Sequence, residues 1–217
     1  MTDVMAQVEH GELPEDEFEE EQTGVERVFP WILLIGGLIG AASAIMLTIE
    51  KINSLADPGY VPSCNFNPLI SCGSVMNTPQ GSAFGFANPV IGTFGFAVVI
   101  TIGVALLCRA SFPDWFWMGL LFGCLFGVGF IHWLFIESVF VIHKLCPYCM
   151  AVWIVMIAIF SYTVLVLFST DRVGAPEAVK RPMRAIARFH PVVPIVWLLI
   201  IFGIIVGYFW DQWAVVF

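Results

Sequence analysis

Residues 144–168 read KLCPYCMAVWIVMIAIFSYTVLVLF, and two features of this stretch decide the fold. From Met150 to Phe168 no residue is charged, and an apolar helix near 20 residues crosses the ~30 Å hydrocarbon core of a bilayer. At its head stand Cys146 and Cys149, with two residues between them. A membrane span therefore starts on a cysteine pair. Composition agrees: the 217-residue chain is 59% hydrophobic and 12% charged, with a mean hydropathy of +0.89. A soluble domain of this size cannot cover its surface with so few polar groups. One polytopic membrane domain fits the length.

Working outward, further apolar runs cover Pro30–Ile49, Pro89–Leu107, Trp115–Phe135 and Pro194–Trp213. The run Trp115–Phe135 continues to Phe140, and the span of Met150–Phe168 begins at Pro147. These give an all-α integral membrane protein with spans at 30–49, 89–107, 115–140, 147–168 and 194–217. A long loop covers 50–88 and a basic linker 171–193. Prolines at span starts suit a first helical turn. Trp31, Trp115, Trp117, Trp210 and Trp213 fall near span ends, where indoles favour the interface. Gly36 with Gly40, Gly123 with Gly127, and Gly203 with Gly207 are read as internal packing contacts between helices.

The net charge of −8 is unevenly spread, since ten of the 17 acids lie between Asp3 and Glu26. Residues 1–29 are read as a disordered acidic tail that is not a signal peptide. With that tail in the cytoplasm, seven of the nine bases face the cytoplasm, and only Lys51 and Lys144 lie outside. The positive-inside rule favours this orientation. Five spans then put the C terminus outside. Cys64, Cys72, Cys146 and Cys149 gather on the outer, oxidising face, where disulfides persist. Cys108 and Cys124 do not.

Cys146 and Cys149 share one face of a helix. At the helix start, free amides and the dipole favour a thiolate at Cys146, and Lys144 adds a positive charge nearby. Cys149 lies about 4.5 Å deeper along the axis. One thiol meets water and the other hydrocarbon, as needed to pass two electrons from a soluble thiol to a lipid-soluble acceptor. The second pair, in CNFNPLISC (64–72), lies on a loop rich in Pro, Asn, Gly and Ser that can shuttle by thiol–disulfide exchange. The stretch after Cys72, GSVMNTPQG, is amphipathic and suits an interfacial half-helix capping a pocket beside Cys149. Two other readings stand beside the redox one: structural disulfides and a four-thiolate zinc site. A bridge across one helical turn stabilises little, which speaks against the first. The loose C-x7-C half speaks against the second.

The spacing C-x7-C, followed by CGSVMNT, NPVIG (88–92) and CPYC, resembles the vitamin K epoxide reductase family in its bacterial form. The resemblance runs from Trp31 to Thr170. It implies a four-helix transmembrane bundle around a quinone, residues 30–170 here, with the outer loop as a lid. It also implies that Cys149 reacts with the quinone, that Cys72 attacks Cys146, and that Cys64 exchanges with a redox partner. Asn88 matches the asparagine that hydrogen-bonds a quinone carbonyl. Met76, Thr78 and Trp153 are the other implied quinone contacts, Trp153 standing where animal enzymes have a tyrosine. Some bacterial relatives carry a fused thioredoxin-like domain after the fifth span. This chain stops at Phe217, so the partner is expected in trans.

The expected protein is a quinone-dependent thiol oxidase of a bacterial inner membrane. It would take electrons from a thioredoxin-like extracytoplasmic partner and pass them to menaquinone, ubiquinone or a vitamin K-type quinone. No metal and no nucleic acid are expected. The alternatives are a non-catalytic scaffold with structural disulfides, and a vitamin K epoxide reductase. Glu137 is read as an interfacial carboxylate that snorkels or pairs with Lys144, and His132 as a helix–helix hydrogen bond.

Overall fold

In lipid every backbone polar group must be satisfied within the chain, so long apolar runs become helices. The computed structural model describes residues 24–211 apart from 171, 173 and 175. Residues 1–23 of the expected acidic tail, Trp213 and the last residues of the expected fifth span lie outside the described residues, while residues 24–29, expected in the disordered tail, are helical. Helix α1 covers Gly24–Ala56, α2 Cys72–Met76, and α3 Asn88–Leu107. Helix α4 covers Asp114–Ile136 and continues as a π-helical turn, Glu137–Ile142. Helix α5 runs Pro147–Ser169, α6 Glu177–Ala187 and α7 Val192–Tyr208. Among the described residues there is no strand, only an isolated parallel bridge between Ile70 and Leu145.

Helices α1, α3, α4 and α5 are each long and apolar enough to cross a membrane. Helix α5 is the axis of the bundle: 61% of its apolar window is buried, against 22% for α3. It packs on α1 and α4, and α1 packs on α3. Helices α3 and α4, although consecutive, barely touch. The outward surfaces of α1, α3 and α4 carry bare apolar side chains such as Leu38, Phe94 and Phe122.

Helix α1 differs from the sequence expectation at both ends. It starts at Gly24, not Pro30, and Pro30 lies inside it. Glu26 and Arg27 interrupt the apolar run, yet Val25 and Phe29 are buried against the bundle and extend the helix. Its 33 residues measure about 50 Å, so it outreaches the hydrocarbon core. At this end Trp117 turns into the bundle: it is 2% exposed, beside Phe29, with the Arg172 guanidinium 4.6 Å from its ring centroid. Arg172 also pairs with Glu26 at 3.4 Å, closing that end of the bundle.

The region expected as a linker contains α6, a short amphipathic helix. Helix α7 has 17 residues and qualifies as a fifth span only together with α6, which is bent 76° from it. Polar contacts attach α7. His132 Nδ1 lies 2.7 Å from the Val128 carbonyl, and its Nε2 accepts the Trp197 indole N–H at 3.0 Å. That pair of bonds requires a neutral ring with its hydrogen on Nδ1. His132 is the interhelical hydrogen bond that its position in a span suggested.

The glycines divide into two groups. A Cβ on Gly40 would meet the Phe96 ring at 2.4 Å. One on Gly103 would meet the Leu34 backbone nitrogen at 2.8 Å, and one on Gly127 the Met156 side chain at 2.8 Å. Gly123, Gly203 and Gly207 face open space instead. Internal packing holds for the first group only. Gly103→Ala should therefore destabilise the protein by about 1–3 kcal/mol, because a backbone neighbour cannot step aside. Gly203→Ala should leave the melting temperature in detergent near the parent value. Equal melting of both variants would refute the close α1–α3 approach.

Candidate active site

The seven-residue excursion between Cys64 and Cys72 is folded by its two asparagines. Asn67 Oδ1 accepts the amides of Leu69 and Ile70 at 2.9 and 2.7 Å. Asn65 Oδ1 accepts the Gly73 amide at 3.1 Å and the Ser71 hydroxyl at 3.0 Å. Ser71 Oγ then caps α2 by accepting the Ser74 amide. The chain ends meet, and Cys64 and Cys72 form a disulfide. This explains why CNFNPLISC carries asparagine where it does. The pattern is an Asx-turn signature that the sequence offered and that cysteine spacing alone does not reveal.

The loop is then tied to the other pair. Leu145 N–H donates to Leu69 O at 2.9 Å, and Ser71 N–H donates to Leu145 O at 2.9 Å. Lys144 Nζ donates to the Pro68 carbonyl. Its ammonium thus holds the loop, not Glu137 or the Cys146 sulfur. Ser138 Oγ donates to Lys144 O, and His143 turns the chain in the left-handed region, φ 56°. These contacts set Cys146 as the N-cap residue of α5. Its Sγ lies 3.3 Å from Cys72 Sγ. Cys64, Cys72 and Cys146 are 3%, 0% and 1% exposed, so the sulfurs are sealed from solvent. The shuttle loop expected from composition is in fact hydrogen-bonded and closed.

The Cys146 thiol is held below its ordinary pKa. The Cys149 thiol hydrogen bond is the largest cause, and the amides of Cys149 and Tyr148 add to it, while burial opposes them. A lowered value favours the thiolate, the form that attacks disulfides.

Beyond Cys146 opens a cavity of about 540 Å³ with almost wholly apolar walls, between α1, α3, α4 and α5. Cys149 and Asn88 reach its wall from different helices, and Met76 closes it from α2. Asn88 Nδ2 donates to Gln80 O at 2.6 Å and its Oδ1 accepts the Ala83 amide at 2.9 Å. Asn88 thereby pins the lid segment, and one amide hydrogen remains for a ligand. Two implied contacts do not reach the cavity wall. Thr78 Oγ1 donates to Val75 O at 2.7 Å and caps the 3₁₀ turn Pro79–Ser82. Trp153 is buried edge-on against Phe135, ring centroids 5.2 Å apart. Val152 and Met156 line the cavity in its stead. Cys124 lines it too, deeper in, while Cys108 is exposed elsewhere. Among the described residues no group of three or more His, Cys, Asp or Glu is arranged to hold a metal ion.

The model of the vitamin K epoxide reductase family matches residues 31–164. No curated protein matches the chain.

The lowered pKa has a directional consequence. Cys146 stays thiolate at pH values where an ordinary thiol is protonated, and that reactivity is lost as pH falls through the depressed value. Alkylation of Cys146 by a small neutral reagent, read by peptide mass spectrometry, should titrate below the ordinary thiol range. Cys149→Ala should move the midpoint upward by removing the largest cause. An unmoved midpoint would show that Cys149 does not tune its neighbour.

Proposed function

The chain belongs to the vitamin K epoxide reductase family, and from that premise we propose that it is a quinone-dependent thiol oxidase which makes disulfides outside the cytoplasm. Family membership carries membrane quinone-linked redox chemistry. The direction and the thiol donor are our reading. One observation carries it: a line of sulfurs runs from the loop disulfide, across 3.3 Å to Cys146, and through Cys149 to the wall of an apolar cavity.

A reduced thioredoxin-like partner attacks Cys64 Sγ. A mixed disulfide forms and Cys72 leaves as thiolate. The partner's second thiol resolves the mixed disulfide, so the partner departs oxidised and Cys64 is left reduced. Cys72 then attacks Cys146 of a Cys146–Cys149 disulfide, and Cys64 displaces Cys146. This restores Cys64–Cys72 and leaves a dithiol at Cys146 and Cys149. The structure has that combination of a closed loop disulfide and free inner thiols. The dithiol delivers two electrons and two protons to the quinone, giving quinol and the Cys146–Cys149 disulfide. Asn88 donates to the quinone oxygen as negative charge develops there, without the cost of a buried charge.

The cavity supports a polyprenyl quinone. Its wall includes Gly95 on α3 and Gly119 and Gly123 on α4, where a Cβ would meet nothing within 4 Å. These glycines flank the gap between the two helices that barely touch. A tail leaves the bundle sideways there, into lipid. The orientation follows the charge: the redox end carries Lys51 and Lys144, and the remaining bases lie at the other end or in α6.

Anaerobic quinone reduction by the purified protein, with a small dithiol as donor, tests the reading. The parent should form quinol and Cys149→Ala should form none. Gly123→Leu should lower turnover with a long-tailed quinone at least tenfold while sparing a tail-less head group. No quinol from a folded parent would leave the family fold with structural disulfides.

A further inference from the structure

The proposed oxidase has to admit an external thiolate to Cys64, yet Cys64 is 3% exposed. Cys64 packs against Leu47, Cys72 and Cys146 with Val75 and Tyr148 beside them, and its backbone is held from the segment before it, Asp57 to Ser63. This strap begins in a tight turn, where Gly59 N–H donates to Asp57 Oδ1 at 2.8 Å and Tyr60 N–H to Asp57 O at 3.0 Å. It then runs back to the end of α1 and is fastened at two points, Tyr60 and Ser63, by one side chain. Glu50 Oε2 accepts the Tyr60 hydroxyl at 2.8 Å. Glu50 Oε1 accepts the Ser63 hydroxyl at 2.5 Å and the Ser63 amide at 3.3 Å. Glu50 itself is 4% exposed, so the strap's own donors take the place of water around its carboxylate. Between the two fastenings Val61 projects outward, 71% exposed.

The next residue of α1 fastens the opposite flank. Lys51 Nζ donates to Met76 O at 2.9 Å and to Asn77 Oδ1 at 2.9 Å, on the lid beyond Cys72. Neighbouring residues at the end of one helix thus hold the two sides of one disulfide separately. The Cys72 side is further tied through Ser71 to Leu145, next to Cys146. The Cys64 side has the carboxylate.

We propose that Glu50 is a positioning residue that latches the Tyr60–Ser63 strap and so holds the adjoining Cys64 in its buried packing, so that releasing this latch exposes Cys64 to the partner's thiol while Cys72 stays against Cys146. The proposal rests on the oxidase reading for its partner, but the latch itself is a statement about access to one sulfur. Breaking it admits the partner without dismantling the transfer to Cys146.

The test therefore avoids quinone. The full chain in detergent, with Cys64–Cys72 oxidised, is treated with a small water-soluble dithiol. Reduction of that disulfide is followed by quenched alkylation and peptide mass spectrometry. Glu50→Gln removes the charge and one acceptor, and should speed reduction about tenfold, the scale of one charge-assisted hydrogen bond. Tyr60→Phe removes one donor and leaves α1 untouched, and should speed it by a smaller factor. If Glu50→Gln fails to fold, Tyr60→Phe decides alone. With the melting temperature unchanged, a rate equal to or below the parent's in both variants overturns the latch. General loosening would instead raise alkylation of Cys146 and Cys124 alongside Cys64, and that outcome also counts against it. A protein that forms no quinol but shows the acceleration keeps the latch and loses the oxidase.

Discussion

Two hydrogen bonds, Leu145 N–H to Leu69 O and Ser71 N–H to Leu145 O, register the whole redox arrangement. They join segments more than 70 residues apart and bring Cys72 within sulfur contact of Cys146. Exchange between disulfides needs contact at this range, and a one-residue slip in a pleated pairing turns every side chain to the other face. The asparagine turns, the Ser138 and Lys144 bonds and the His143 kink all serve that register. So does the missing first-turn N–H of Pro147, which lets α5 start immediately after the bridge. The bridge stands at the end of a span, where it joins two loop segments while the next turn of α5 lines an apolar cavity.

The bundle around this point shows glycine in two opposite uses. Where α1 crosses α3, Gly37, Gly40 and Gly103 admit another backbone or ring at distances no Cβ permits. Lipid supplies no hydrophobic drive between helices, so such close packing is what attaches them. On α3 and α4, Gly95, Gly119 and Gly123 have empty space beside them and border the cavity. One residue type closes one seam and keeps the other open. Sequence spacing reads the two alike, since a Gly-x3-Gly pair says only that side chains are absent.

What was legible followed from signals that stay local. Unbroken apolar runs located the four core spans, and a C-x2-C at a helix start located the inner cysteine pair. The rest depended on rotation and on partners distant in sequence. Val25 and Phe29 extend α1 past a charged pair, because only the face carrying Glu26 and Arg27 turns from the core. Cys149, Val152 and Met156 form one stripe of α5, three and four residues apart, and that stripe faces the cavity. Trp153 is one position off it and turns to Phe135, so homology at that position does not place it near a ligand. Thr78 is short and caps its own turn. A residue's place in a motif gave its neighbourhood; the helical phase decided its contacts.

Helix α7 illustrates how polar bonds work where solvent is apolar. It meets the bundle through Trp197 and His132, and at its C-terminal end through Tyr208, whose hydroxyl is 3.0 Å from His143 Nδ1. Just before it, His190 Nδ1 is 2.7 Å from the Tyr162 hydroxyl. Each such bond is worth about 1 kcal/mol between membrane helices. Two on the helix and one just before it fix its depth and rotation as well as its presence, since sliding or turning by one residue breaks all of them together. The outermost falls three residues before Cys146, on the kink that delivers the chain to the bridge with the loop. A helix that contributes nothing to the cavity wall thus bears on the segment from which the redox motif is hung. The same economy of polar contacts, few and each at a decisive place, governs the asparagine-folded loop at the other side of the sulfurs.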